Sequence, residues 1–439
     1  MSSPAPSAVN VHYLDHVMTV AEERQVEATE DIYSENGMKL VAKGYAINKS
    51  MRERLIEHKL IKPLEDCMAV SDGVTGARCG EAAEKLLDTY PVLRAMCISD
   101  RRASPVKLIA DTTTSGRLQT LLTVYAEHLP GKLEHAVCVA LVALNLAQRM
   151  KPGEADLLNV LLVSSLAHDV GELYIDPQYL QKGAKLGPVE WRHIAAHPVI
   201  AHNLLKDLNG LARHAAPLIM DHHERLDGFG YPVGKGAGQV ADLSQLLGVA
   251  EMLGGMMERG HGVLQQADVA VKLIYGEFSR PIIDVVSKTF KECREVDAGS
   301  DADNLRDALQ MSRQLGERLQ RILQVEGEYR TLFERASPPF KALLAQSHER
   351  FGSIRRAWSS TGLDVQPDGA WLLQESPAMQ REVAIILKEI RWRLRELQRE
   401  FHARVIRHAG GDLPVLERFL KDVNTEAPAD EVATAATPD

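Results

Sequence analysis

"LAHDVGELYI", residues 166–175, carries an apolar, helix-compatible run into two adjacent residues of metal-ligand type, His168 and Asp169, with a further carboxylate, Glu172, three positions on. Nine of the sixteen histidines lie between residues 128 and 223, which points to one chemistry in one region. His135, His168-Asp169, His197 and His222-His223 each fall at or near the same relative place on successive helical segments. Helical bundles build metal sites in this way, by projecting ligands inward from facing helices.

Imidazole and carboxylate without thiolate suit Fe, Mn, Zn or Ni. The five cysteines (Cys67, Cys79, Cys97, Cys138 and Cys293) are odd in number, scattered and free of CxxC spacing, which excludes a disulfide framework and a thiolate zinc site. Five histidines and Asp169 exceed the needs of one ion that keeps an open position. Two divalent ions are therefore expected, Fe or Mn before Zn or Ni, with Asp169 as the bridging carboxylate. Such a pair, about 3.5–4 Å apart, activates water and neutralises a phosphoryl oxygen during in-line attack.

Working outward, 439 residues imply two or three domains at about 150 residues each. Apolar residues at 45% and charged residues at 25% are ordinary for a globular chain. Residues 1–75 read as a small α/β unit, in which Asn36-Gly37 between alternating apolar segments signals a type I′ hairpin. Residues 76–125 read as a helical linker, entered through the glycine-containing stretch 71–80. Residues 126–292 form the histidine-bearing helical region. Across 293–423, apolar residues recur at steps of three and four (Met311, Leu315, Leu319, Ile322; Val383, Ile386, Ile390, Leu394), the mark of amphipathic helices. Their Arg/Glu-rich faces are expected to be solvated, and their apolar stripes fit either a homodimer or packing within the chain. Residues 424–439 lack large apolar side chains other than one valine and read as a disordered tail.

A net charge of −9 argues against a general nucleic-acid binder, which needs a basic surface. No stretch of 18 or more apolar residues occurs, and the N-terminus has no basic segment followed by an apolar core. The expectation is a cytoplasmic protein with no membrane contact.

"HHERLDGFGYP" (222–232), "AHDVGELYI" (167–175) and "EWRHIAAHPVIA" (190–201) together resemble the signature blocks of the HD-GYP family, a branch of the HD phosphohydrolases. The match in 222–232 to HHExxDGxGYP has no gap. This resemblance covers a little over a third of the chain. It implies a mainly α fold: an all-helical HD-type bundle, here with a small N-terminal β-containing unit and a C-terminal helical extension. It further implies metal-dependent hydrolysis of cyclic di-GMP to pGpG or GMP in bacterial signalling. By the same resemblance His135, His168, Asp169, His197, His222, His223 and Glu251 are metal ligands. The loop Asp227, Gly228, Gly230, Tyr231 and Pro232 is then expected to flank the active site and to dock a diguanylate cyclase (GGDEF) partner. Arg225 and Lys235 are candidate substrate-phosphate contacts.

Four positions depart from the family pattern: Ala201 stands for a Gly, Glu251 for an Asp, Glu172 for a Lys, and Gly254 for a second Asp. An anion in place of a cation beside a phosphodiester weakens stabilisation of developing charge. Glu172 is also i+4 from His168 and i+3 from Asp169, so on a continuing helix it shares their face and becomes an extra ligand; beyond the helix end it points to solvent. Two functions follow. One is a phosphodiesterase with His168, Asp169 and Glu172 in the catalytic centre; the other is a degenerate domain acting as a cyclic di-GMP or metal receptor and protein scaffold.

Overall fold

The computed structural model of the chain describes residues 8–98, 103–114, 116–151, 153–181, 183–184, 186–257, 262–296, 304–324, 326–366 and 370–408; the expected tail 424–439 lies outside them. The fold is mainly α. It divides into two compact units that cut across the sequence segments. The first joins the chain up to Gln181 with His193–His223 and Leu243–Met257, and the second joins Lys182–Arg192, Glu224–Asp242 and the chain from Glu258 onward.

At the centre of the first unit is helix Lys132–Met150, buried without a break from Ala136 to Gln148. A helix apolar all round belongs in the middle of a core. Helices Gly76–Thr89, Pro91–Cys97, Pro105–Ala110 and Gly116–His128, the expected linker, all pack on it. The glycines of 71–80 mark close contact and not a flexible connection. A Cβ at Gly76 would lie 2.2 Å from Thr112 O, and one at Gly80 would lie 2.7 Å from Ala110 Cβ. Thr75 caps the helix by accepting from Arg78 N.

Two small antiparallel pairs complete this unit: Val26–Ala28 with Met68–Val70, and Ile32–Tyr33 with Lys39–Val41. The second is the expected hairpin with a different turn. Gly37 has φ +78° and Asn36 does not share a positive φ, while Gly37 N donates to Ser34 O at 2.9 Å. This is a turn closed by a single left-handed glycine, with an irregular register at Ile32/Tyr33, whereas type I′ needs both central residues at positive φ.

In the second unit, helices Asn304–Gln324, Pro338–Ser359 and Pro377–His408 bury their apolar stripes against each other. Met311, Leu315, Leu319, Ile354, Trp358, Leu387 and Leu394 share one core. The expected solvation of the charged faces holds only in part: Glu349, Arg355, Glu382 and Lys388 are exposed, whereas Arg350, Arg393, Glu396 and Glu400 are buried. Arg393 is fully buried, its Nη1 3.2 Å from Glu277 Oε1 and 3.3 Å from Glu396 Oε2. Arg350 Nη2 lies 2.6 Å from the same Glu396 oxygen. Opposite charges can enter a core because each supplies what the other loses in water.

Two expectations follow. Removing one charge from this network should be severe: Arg393→Met should cost about 3–5 kcal/mol, against less than about 1 kcal/mol for Arg280→Met in an exposed pair with Asp284. Denaturant unfolding compares them, and equal losses would refute a buried network.

The second concerns acid. His16, on helix Val11–Glu23, is buried with its ring 3.8 Å from that of His128. Burial, helped by His128, pulls His16 down to about 4, and burial lowers His128 too. An unfolded histidine titrates near 6.5, so the unfolded chain binds the extra protons. The stability gained by keeping these rings neutral is present above about pH 6.5 and is lost as pH falls toward 4. The thermal midpoint should drop between pH 7 and 5, and the drop should be smaller in His16→Phe.

Candidate metal centre

All seven residues expected to ligate metal fall in the first unit, and the fold brings them together. Ligand-capable atoms of His135, His168 and Asp169 lie within 4.8 Å of one another, as do those of His197, His222 and His223, and those of Asp169, His222 and Glu251. Asp169 stands between two histidines, with Oδ2 3.4 Å from His168 Nε2 and Oδ1 3.3 Å from His197 Nε2. Glu251 reaches His222 Nε2 with one oxygen and His223 Nε2 with the other, each at 3.4 Å.

The local backbone explains how three of the rings are aimed. His168 follows helix Ala155–Ala167, His222 follows Leu211–Asp221, and His197 comes three residues after Pro188–Ile194 ends. Helix ends leave carbonyls without partners. His168 Nδ1 lies 2.8 Å from Ser165 O, His197 Nδ1 2.9 Å from Ile194 O, and His222 Nδ1 2.5 Å from Ile219 O. A carbonyl only accepts, so Nδ1 carries the proton in each ring and Nε2 faces the cluster with its lone pair.

The arrangement fits cations. His197 Nε2 and His222 Nε2 are 3.4 Å apart, and two lone pairs at that distance repel unless positive charge lies between them. Nitrogen ligands about 2.1 Å from a tetrahedral ion are themselves about 3.4 Å apart. His168 Nε2 is buried and makes no hydrogen bond. Burial pulls His168 down, yet Asp169 beside it raises it to about 9. Burial, with His197 and His168 adding to it, holds His222 well below its usual value. Burial also opposes ionisation of Asp169, but His168, His197 and Lys132 hold it well below the usual carboxylate range.

Glu172 does not take the solvent-facing course. The helix stops at Ala167, and Glu172 lies in the 3₁₀ turn Val170–Tyr174, buried. Its Oε2 is 2.7 Å from Lys132 Nζ and 3.4 Å from Tyr125 Oη, which is also 3.5 Å from Asp169 Oδ2. Among the described residues the metal-type groupings do not include Glu172. Lys132 and Tyr125 were not legible as site residues. The one local cue is that Lys132 precedes His135 by a helical turn.

Arg225 and Lys235 belong to the second unit. Arg225 is buried over the Phe278 ring, with Nε 3.4 Å from Glu277 Oε1, so a core carboxylate faces its guanidinium. The backbone N–H of Lys235, with those of Val233 and Gly234, donates to the buried carboxylate of Glu224, a role the signature did not disclose. The loop Asp227–Pro232 is held by the C-terminal helices. Arg350 pairs with the Asp227 carboxylate, Gln346 donates to Asp227 O, and Arg404 donates to Gly228 O and Gly230 O. The Arg350 and Arg404 guanidiniums each lie 5.0 Å from the centre of the Phe229 ring. Tyr231 meets Trp191 edge-on. Gly228 has φ +75° and Gly230 does not share that conformation.

The sequence profile of the HD domain family matches residues 118–276, the span that contains every candidate ligand. These residues are an HD domain of the HD-GYP type. Among its curated relatives, a 3′3′-cGAMP-specific phosphodiesterase of Vibrio cholerae is 26% identical over 231 residues, covering 50% of this chain and 49% of the relative. A cyclic di-GMP phosphodiesterase of Pseudomonas aeruginosa is 27% identical over 118 residues, with 27% and 28% covered. One from Thermotoga maritima is 25% identical over 168 residues, with 37% and 45% covered. The chain thus spans about half or less of the length of these relatives. Among the described residues no single helix is long and apolar enough to cross a membrane.

One glycine holds the HD-GYP centre together. A Cβ at Gly171 would lie 2.1 Å from His197 O, so only glycine lets the turn after His168-Asp169 approach the His197 segment. Gly171→Ala should cost about 1–3 kcal/mol by overpacking and lower the metal bound per chain. Gly255→Ala, where a Cβ meets nothing within 4 Å, is the control; matching metal content in the two variants, by elemental analysis, would contradict the close-approach argument.

Proposed function

We propose that the HD-GYP domain hydrolyses a phosphodiester bond of a cyclic dinucleotide, with cyclic di-GMP as substrate and pGpG or GMP as product. His135, His168 and Asp169 would hold one divalent ion, and His197, His222 and His223 a second, with Asp169 bridging and Glu251 completing the shells. Fe or Mn suits this donor set. Bound there, the ions supply Lewis acidity for attack of water on phosphorus. The protein's own part is orientation: the carbonyl contacts at Nδ1 fix three rings, and the burial of His168 and His222 keeps bulk water from their lone pairs.

The observation that carries this reading is the facing pair His197 Nε2 and His222 Nε2, 3.4 Å apart with both Nδ1 protons committed to carbonyls. The relatives named above support the substrate class and leave the choice between cyclic di-GMP and 3′3′-cGAMP to experiment. A receptor reading has one observation in its favour. At Gly254 a Cβ would lie 3.9 Å from His135 Cε1 and 3.0 Å from Val139 Cγ2, so this position adds no carboxylate beside His135. Docking of a diguanylate cyclase would use the outer part of the loop around Val233, which is 63% exposed.

The test is turnover by the full chain loaded with Mn or Fe under reducing conditions, with cyclic di-GMP and 3′3′-cGAMP followed by chromatography. Wild type should yield linear dinucleotide or GMP, and His168→Ala/Asp169→Ala should lose bound metal and at least about a hundredfold in rate, as removal of electrostatic stabilisation implies. Metal-replete wild type that binds a cyclic dinucleotide and cleaves neither would sink the enzyme reading and establish the receptor.

A further inference from the structure

We propose that Lys132 is a phosphate contact of this centre, with Glu172 as the positioning residue that holds its ammonium in place. The inference rests on the reading of the centre as a phosphoester site and names the cation that meets the anionic ligand.

Lys132 opens helix Lys132–Met150 and precedes His135 by three residues, so the two side chains leave the same face one turn apart. Its Nζ is 2.7 Å from Glu172 Oε2, and both side chains are only about one-tenth exposed, at 12% and 11%. Tyr125 Oη extends the contact to Asp169 Oδ2 at 3.5 Å. Lysine, Glu172, tyrosine and ligand carboxylate therefore form one connected polar group at the edge of the metal-type cluster.

Three features favour a ligand role over a purely structural pair. Burying two charges is a costly way to fill space, because apolar side chains of similar volume do so without desolvation. An ammonium has three donor directions, and the contact to Glu172 Oε2 uses one. The helix is entered through Gly131 at φ +79°, which offers no side chain to cap the first-turn amides, so the positive end of a 19-residue helix adds to the ammonium. Glu172 alone would bring an anion toward an anionic substrate; paired with Lys132 it presents a fixed cation.

The test uses the full chain loaded with Mn and two probes, inorganic phosphate and cyclic di-GMP, with affinities from calorimetry and metal content from elemental analysis. Lys132→Met/Glu172→Gln removes both charges and keeps a comparable volume. It should retain metal and bind phosphate at least about tenfold more weakly, the loss of one hydrogen bond from a charged donor, with a shallower dependence on salt. Should that variant fail to fold, Lys132→Gln, which keeps a donor toward Glu172, is measured in its place, and Lys132→Arg should restore affinity to within about threefold. Phosphate affinity within twofold of wild type in a metal-replete neutral variant would overturn the inference and leave the pair a structural bridge. Cleavage is a separate readout: a chain that binds phosphate through Lys132 and cleaves no cyclic dinucleotide would end the phosphodiesterase reading alone.

Discussion

The candidate centre depends on one contact made three times: an imidazole Nδ1–H donated to the carbonyl three residues earlier, at a helix end. His168, His197 and His222 all use it. The contact engages a carbonyl in the last turn of a helix, fixes the ring, and decides the tautomer, so that Nε2 points away from its own backbone. Repeated on three segments whose ends converge, it gathers lone pairs in one place. Asp169 and Glu251 then fit between rings that are already aimed, and His197 Nε2 and His222 Nε2 are left 3.4 Å apart, an arrangement that positive charge between them relieves.

In the second unit buried charge acts differently. Glu277, fully buried, faces Arg393 and Arg350, and Glu396 faces the same two arginines. Arg350 continues to Asp227 of the loop, and Arg404 takes two of the loop carbonyls. Glu224 gathers three consecutive backbone N–H groups. The glycine-rich loop thus has its conformation imposed from outside, by guanidiniums from the C-terminal helices and by one internal carboxylate. The C-terminal extension is in this sense part of the loop's fold, a consequence of helix faces that the sequence presented as solvent-exposed.

What could be read from the sequence follows a physical rule. The clustered histidines were legible because metal chemistry restricts residue type and helix ends restrict position, and both are local properties. The apolar stripes were legible for the same reason. Gly76, Gly80 and Gly171 were not, since their role is set by atoms of other segments: Thr112, Ala110 and His197. Nor were the buried arginines, because Arg350 finds Asp227 across 123 positions and periodicity alone cannot distinguish a solvated charge from a paired one. The hairpin lies in between. Asn36-Gly37 located the turn, but only Gly37 of the pair takes a positive φ, so its type is not I′.

Glu172 shows the same rule at the scale of a single charge. Considered by position alone, it places an anion where the HD-GYP pattern has a cation, and beside the proposed phosphoester substrate the consequence would be repulsion. Considered with Lys132 at 2.7 Å, the pair is neutral and its positive end comes from the helix that bears His135. The sign of the field at the centre therefore depends on two residues forty positions apart, and substitution at either alone leaves a buried charge unmatched. With Glu172 paired in this way, the carboxylates grouped with the histidines are Asp169 and Glu251. Gly254 is a departure of another kind: its backbone lies beside Val139 and His135, and any carboxylate placed there would need Val139 to give way.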